Sequence, residues 1–164
     1  MSLRSRTLYL LVAALCFGAL AAALISQHMF GMRPCAWCVF QRLLLVVLGG
    51  FSLVAAWLSR TNASPFGSRL LGVFAVATAI GGIIAAWYQF TVASNSFSCD
   101  LSFADNVMTG SGLESGFPFM FGIYATCMDA RVELLGIEYA LWGMATFIVA
   151  IALLLWAILQ RKTH

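Results

Sequence analysis

Apolar residues fall into four long runs along the chain, and shorter polar segments separate them. The runs cover residues 8–25, 39–58, 70–90 and 139–159. Each run is close to the roughly 20 helical residues that cross about 30 Å of hydrocarbon. Because each run is apolar around the whole circumference of a helix, no amphipathic period indicates a soluble helix. The pattern therefore predicts four transmembrane helices.

The composition supports one integral membrane domain over residues 1–164. Hydrophobic residues make up 62% of the 164 residues and charged residues only 9%, whereas about a quarter of a soluble globular protein is charged. Short connections between the runs make neighbouring helices pack side by side. The predicted fold is an all-α membrane protein built as a four-helix transmembrane bundle.

Charged residues are distributed unequally among the connections. The basic residues of the N-terminus, the second connection and the C-terminus are Arg4, Arg6, Arg60, Arg69, Arg161 and Lys162. All six acidic residues lie in the third connection. The positive-inside rule therefore predicts cytoplasmic termini and two periplasmic loops, at about residues 26–38 and 91–138. The net charge of +3 is then a topology signal, and it does not indicate a nucleic-acid partner.

The first apolar run has an alternative interpretation, because Arg4 and Arg6 precede it as in a secretory signal peptide. The run is longer than the usual core of such a peptide, and no small-x-small cleavage site with a polar mature start follows it. We therefore expect a retained helix. Cys16, in the middle of this run, is expected to act as a small apolar residue.

Four cysteines lie in or beside the two predicted outer connections and form two pairs. Cys35 and Cys38 form a C-x-x-C sequence, and Cys99 and Cys127 share the long polar loop. A C-x-x-C serves redox chemistry, zinc binding or haem attachment. No histidine follows Cys38, which argues against haem, and zinc held by all four thiolates would need reduced cysteines outside the cell. Two pairs on the oxidising side of a membrane favour disulfide chemistry.

The start of the second run favours a reactive thiolate. Pro34 is suited to a helix start, so Cys35 and Cys38 are expected at the first turn, where free N–H groups and the helix dipole stabilise a thiolate. Arg42 follows Cys38 by four residues, one turn deeper on the same face. Its guanidinium could stabilise the thiolate and hold an anionic or carbonyl group. Alternatively, Arg42 extends to the lipid headgroups and has no further role.

The second cysteine pair also has two interpretations. A structural disulfide between Cys99 and Cys127 could tie down the loop and contribute about 3–4 kcal/mol. However, the loop shows little core-forming pattern, and its apolar patch at residues 117–121 suits a membrane surface. A mobile outer disulfide beside a membrane dithiol suggests exchange through thiolate attack. The sequence has no flavin, nicotinamide or metal motif, so a lipid-soluble electron acceptor that reaches Cys38 from the bilayer remains.

Several elements together resemble the DsbB family of bacterial disulfide-forming quinone reductases. They are Gln27-His28-Met29, Pro34-Cys35-x-x-Cys38-x-x-x-Arg42, Tyr88-Gln89, Cys99, Cys127 and Leu135-Gly136-Ile137-Glu138. The resemblance covers nearly the whole chain, with the same number and order of spans. The chain departs from the family at Phe90, where members can carry a histidine near the quinone.

The resemblance implies a thiol:quinone oxidoreductase of the bacterial inner membrane that sustains disulfide bond formation. It implies a quinone cofactor, ubiquinone rather than menaquinone, no metal, and a DsbA-like periplasmic thiol oxidase as partner. By resemblance, Cys35–Cys38 is the quinone-coupled pair and Cys99–Cys127 is the shuttle pair. Arg42 is implied as a residue of the quinone site.

Two other functions remain open at this point. A four-span scaffold or assembly protein with two structural disulfides would explain the spans and the cysteines, but it gives no reason for Arg42 one turn below a C-x-x-C. An enzyme that feeds reductant outward is also possible, because the direction of transfer depends on reduction potentials, at about 1.4 kcal/mol for each 30 mV.

Overall fold

The computed structural model describes residues 3–61, 65–95 and 102–159. It contains four long helices: α1 (Leu3–Met29), α2 (Ala36–Thr61), α3 (Pro65–Thr91) and α7 (Tyr139–Leu159). All four are long and apolar enough to cross a membrane, so the prediction of four transmembrane helices is confirmed. The chain is a multi-pass membrane protein. The first three helices extend past the predicted spans, because backbone hydrogen bonding continues through the polar residues at their ends.

The four long helices form a ring in which each packs against two others. Helix α2 packs against α1 and α3, and α7 closes the ring against the same two helices. The side chains of Tyr9, Val12, Cys16, Leu48 and Phe147 are fully buried in its centre. Cys16 thus occupies a core position, as the sequence predicted for a small apolar residue.

In its described residues, the long connection between α3 and α7 is more ordered than its sequence pattern predicted. A 3₁₀ turn at Ala93–Asn95 follows α3, and three short helices come later: α4 (Phe103–Gly110), α5 (Leu113–Gly116) and α6 (Pro118–Phe121). A hairpin of β1 (Glu133–Leu134) and β2 (Ile137–Glu138) then leads into α7. The expectation of a segment with little core-forming pattern was therefore wrong for α4. Cys99, Asp100, Arg161 and Lys162 lie outside the described residues.

Helix α4 is fixed by its own cap and by one buried face. Ser102 accepts a hydrogen bond from the backbone of Asp105, whose carboxylate accepts one from the backbone of Ser102, and together these make a capping box. Ala104 and Met108, four residues apart on one face, are fully buried against residues at the beginning of α2. Phe103 adds aromatic contacts to α2. This packing holds the long connection over the beginning of α2.

Helices α3 and α7 approach closely where a glycine faces an aromatic ring. A Cβ atom on Gly82 would lie 2.5 Å from the ring of Phe147. A Cβ atom on the adjacent Gly81 would meet no atom within 4 Å. The contact between the two helices therefore depends on the missing side chain at Gly82, as in other close helix packings in lipid.

We predict that Gly82→Ala destabilises the protein by about 1–3 kcal/mol, because the buried Phe147 ring must move. Gly81→Ala is the matched control and should be neutral or slightly stabilising, since alanine favours helix more than glycine. Thermal unfolding of both variants in one detergent measures the difference. Equal midpoints for the two variants would contradict the packing of α3 on α7.

Candidate functional site

The C-x-x-C sequence lies at the beginning of α2, where the sequence placed it. Cys35 directly precedes the helix, and its carbonyl oxygen accepts a hydrogen bond from the backbone N–H of Val39 at 3.0 Å. Cys38 lies in the first turn, with its sulfur 3.3 Å from the sulfur of Cys35. Both are free thiols here. Two sulfurs at this distance need only a small movement to form a disulfide.

Cys127 reaches the same place from the long connection. The backbone N–H of Tyr124 donates to the carbonyl oxygen of Pro34 at 3.0 Å, which joins this part of the connection to the chain just before α2. The thiol of Cys127 then forms a hydrogen bond with the thiol of Cys35. The structure thus brings together three of the four predicted cysteines. The fourth, Cys99, lies outside the described residues.

The two thiols outside the membrane-spanning segments have pKa values shifted in opposite directions. The pKa of Cys127 is lowered, chiefly because the thiol of Cys35 donates a hydrogen bond to its sulfur, although burial opposes this. The pKa of Cys35 is raised well above the ordinary value by its hydrogen bonds to Cys127 and Cys38 and by burial. Because the thiolate is the nucleophile in exchange, Cys127 is the more reactive of these two thiols in the reduced protein.

Arg42 lies inside the bundle and does not extend to the headgroups. Its side chain is only 6% exposed. The guanidinium donates hydrogen bonds to the side-chain oxygen of Gln27 and to two backbone oxygens, Met120 at 3.0 Å and Ala23 at 3.4 Å. Arg42 therefore connects α2 with the end of α1 and with α6. This geometry disfavours the alternative of an arginine that only follows the membrane surface.

Two buried glutamines form a part of the site that the sequence analysis did not identify as functional. The side-chain amide of Gln89, on α3, donates to the sulfur of Cys38 at 3.1 Å. The amide of Gln41, on α2, donates to the side-chain oxygen of Gln89 at 2.7 Å. Each is 7% exposed. The sequence feature that could have identified them is the presence of amide side chains within apolar spans, where polar groups need hydrogen-bond partners.

A cavity of about 270 Å³ adjoins these groups. Its polar wall contains Cys38, Gln41, Arg42, Gln89 and Arg33. The rest is lined largely by small and apolar residues of α1, of α7 and of the connections. Tyr139, at the start of α7, also lines it. An apolar cavity with a few convergent polar groups is the usual form of a small-molecule site. A flat apolar ligand with carbonyl oxygens would fit these walls, because Arg42 supplies hydrogen-bond donors beside Cys38.

The fold and the site define a multi-pass membrane protein that holds closely spaced thiols at the start of a transmembrane helix, beside an apolar cavity. Among known proteins, the family model for disulfide bond formation protein DsbB matches residues 5–157. The chain therefore belongs to the DsbB family, whose role in disulfide bond formation implies redox chemistry that generates disulfides.

Similar proteins cover nearly the whole chain. Disulfide bond formation protein B of Ralstonia nicotianae is 30% identical over 99% of both chains. The protein of that name from Cupriavidus metallidurans is 27% identical over 100% of this chain and 99% of its own length. Disulfide bond formation protein B 1 of Pseudomonas putida is 26% identical over 92% of this chain and 88% of its own. The family resemblance seen in the sequence is thereby confirmed.

We predict that, in the reduced protein, Cys127 is alkylated at a lower pH than an ordinary thiol. Cys35→Ala should move the alkylation profile of Cys127 to higher pH, because it removes the donor that lowers the pKa and leaves the effect of burial. Cys35→Ser, which keeps a hydroxyl donor, should move it less. Iodoacetamide labelling across pH, read by peptide mass spectrometry, measures the profiles. Identical profiles in wild type and Cys35→Ala would show that the thiol contact has no effect on Cys127.

Proposed function

We propose that this protein oxidises a DsbA-like, thioredoxin-like dithiol protein of the periplasm and passes the electrons through its two cysteine pairs to a membrane quinone. The reaction sustains disulfide bond formation. One observation carries the proposal: Cys38 and Arg42 share the wall of an apolar cavity, while Cys35, beside Cys38, meets Cys127 from the outer connection. A route for exchange thus ends at a site suited to an apolar acceptor. The names of the relatives agree with this role.

The proposed thiol chemistry consists of four exchanges that conserve electrons. A thiolate of the partner attacks Cys99, which breaks the Cys99–Cys127 disulfide and releases Cys127 as a thiolate. The second partner thiol then resolves the mixed disulfide, so that the partner leaves oxidised and Cys99 is a thiol. Cys127 attacks Cys35, which breaks the Cys35–Cys38 disulfide and leaves Cys38 as a thiolate, and Cys99 resolves this new bond. The packing of Cys127 against Cys35 in the described structure supports this step, because it places the attacking sulfur beside its target.

The residues of the cavity have separate tasks in the last step. A bound quinone, ubiquinone in preference to menaquinone, would accept two electrons and two protons as the disulfide between Cys35 and Cys38 forms again. Arg42 would donate hydrogen bonds to a carbonyl oxygen of the ligand and stabilise the thiolate of Cys38. The small residues of α1 and α7 would exclude water and leave room for a flat ring.

The charge distribution supports a location in the bacterial inner membrane with cytoplasmic termini. The connections that carry the cysteines would then face the periplasm, which is an oxidising compartment. In this orientation the cavity beside Cys38 lies near the periplasmic edge of the bilayer. A lipid-soluble acceptor and a water-soluble partner protein could therefore reach opposite ends of one cysteine relay.

The test is turnover with purified components in the absence of oxygen. Reduced DsbA-like protein and a soluble quinone analogue are mixed with catalytic amounts of the membrane protein, and loss of quinone absorbance is followed. We predict that one quinone is consumed for each partner dithiol oxidised and that Cys16→Ala retains full activity. A scaffold with structural disulfides would give no quinone consumption, and this result would overturn the proposal.

The order of transfer is tested in the same assay with Cys127→Ser. This variant should lose turnover and accumulate a mixed disulfide between the partner and Cys99, because it can neither form the shuttle disulfide nor pass electrons to Cys35. To form the trap, the partner carries serine in place of its second, resolving cysteine, and its attacking cysteine is supplied as a mixed disulfide with a small thiol. Cys99 displaces the small thiol, and the partner then has no thiol that could break the new bond. Peptide mapping identifies the bond. A trapped bond at Cys35 would contradict the proposed order.

We predict that Arg42→Met raises the apparent KM for the quinone by about tenfold or more, which corresponds to roughly 1.4 kcal/mol of lost binding. Arg42→Lys should be intermediate, because lysine keeps the charge and loses the planar set of donors. Quinone titrations at matched concentrations of folded protein measure both effects. An unchanged KM in Arg42→Met would remove Arg42 from the ligand site.

A further inference from the structure

Two side-chain amides, one on α2 and one on α3, form a chain of hydrogen bonds that ends at the sulfur of Cys38. It begins at Gln41 on α2, passes to Gln89 on α3 and returns to Cys38 on α2. Both amides are buried, at 7% exposure each. Burying an amide in a membrane bundle costs free energy unless the amide is hydrogen-bonded. The arrangement of these two amides at a reactive sulfur therefore indicates a role in the chemistry of that sulfur.

The hydrogen bonds fix the direction of each amide. The oxygen of Gln89 accepts from the amide nitrogen of Gln41, so Gln89 presents its N–H₂ group to the sulfur. A sulfur that accepts a hydrogen bond is stabilised as the thiolate relative to the protonated thiol. Because an amide does not titrate in the physiological range, this donor persists at every pH at which the protein is folded.

A third helix provides the space for this arrangement. A Cβ atom at Gly143 on α7 would lie 2.6 Å from the side-chain oxygen of Gln41. Any larger residue at this position would displace the amide of Gln41, and through it the amide of Gln89. Gly143 also lines the cavity beside Cys38. The side chain of Gln41 therefore reaches α7, and the missing side chain at Gly143 leaves room for the amide chain.

We propose that Gln89 is a positioning residue that stabilises the thiolate of Cys38 when it leaves the Cys35–Cys38 disulfide, and that Gln41 and Gly143 orient Gln89. This role rests on the proposed function, in which the thiolate of Cys38 forms during turnover. The task of the amide chain is distinct from that of Arg42. Gln89 acts on the sulfur, whereas Arg42 acts on both the sulfur and the ligand in the cavity.

The direct test measures the thiolate of Cys38 without any quinone. The background variant carries Cys16→Ala, Cys35→Ser, Cys99→Ser and Cys127→Ser, so that Cys38 is its only cysteine. Arg42 and Arg33 are the charged residues that line the same cavity as Cys38, and Tyr139 is a further titratable residue there; every compared variant retains all three. Alkylation by a small maleimide is then followed from pH 5 to 10, and the pH of half-maximal rate is compared among variants with equal thermal stability.

We expect Gln89→Met, which keeps the size of the side chain and removes the donor, to move the profile upward by about one pH unit. This corresponds to a rate about tenfold lower at a pH well below both midpoints. Gln41→Met and Gly143→Ala should produce smaller shifts in the same direction, because they disturb only the orientation of Gln89. Ser52→Ala is the matched control: it removes a buried hydrogen bond within α2, to the carbonyl of Leu48, and should leave the profile unchanged.

The effect of Gln89 on turnover is measured in the protein with all native cysteines present. Gln89→Met should lower kcat for quinone reduction by a larger factor than it changes the quinone KM, whereas Arg42→Met should chiefly raise KM. An alkylation profile of Gln89→Met that coincides with its background would overturn the inference. If Gln89→Met does not fold, unshifted profiles of both Gln41→Met and Gly143→Ala would overturn it instead. A failure of wild-type quinone turnover would contradict the proposed function, while the alkylation profiles would still decide the role of Gln89.

Discussion

The burial of a guanidinium among transmembrane helices is the constraint on which the arrangement of the site depends. A charged group inside a bilayer is tolerated only where protein atoms replace the water that it has lost. Arg42 meets this requirement with oxygens from Ala23 and Gln27 on α1 and from Met120 on α6. The same hydrogen bonds hold three elements around one end of the cavity. The need to satisfy this charge therefore also organises the wall on which Cys38 lies.

The thiols differ because the structure gives each a different environment. Cys35 is fully buried, and in the reduced protein its thiol donates a hydrogen bond to the sulfur of Cys127. In that state Cys35 is the poorer nucleophile and Cys127 the better one. Cys38 faces the cavity and receives an N–H donor from Gln89. In the proposed function the positions of the sulfurs favour transfer from Cys127 to Cys35 and then to Cys38 at the cavity. The arrangement of the sulfurs thus favours one order of transfer, while the reduction potentials of the reactants set the net direction.

Much of this fold could be predicted from the sequence, because hydropathy over a long window reports directly on the length needed to cross a bilayer. The placement of Cys35 and Cys38 at a helix start was also predictable, from Pro34 and the beginning of an apolar run. Helix α4 was missed, although its capping Ser102 and its apolar pair were visible in the sequence. The contact of Cys127 with Cys35 could not be derived from spacing, since 91 intervening residues separate them. The amide chain depends on how α2, α3 and α7 are aligned along the bundle, and a single sequence does not show this alignment.

The central claim is that the thiol pair at the cavity reduces a quinone, and a single-turnover experiment tests it most directly. The Cys99→Ser, Cys127→Ser variant is fully reduced, mixed with one equivalent of a soluble quinone without oxygen, and assayed for quinol, free thiols and disulfide position. The account predicts that one quinol forms for every two thiols lost and that peptide mapping finds a Cys35–Cys38 disulfide. Quinone that stays oxidised, or quinol formed while Cys35 and Cys38 remain thiols, would contradict it.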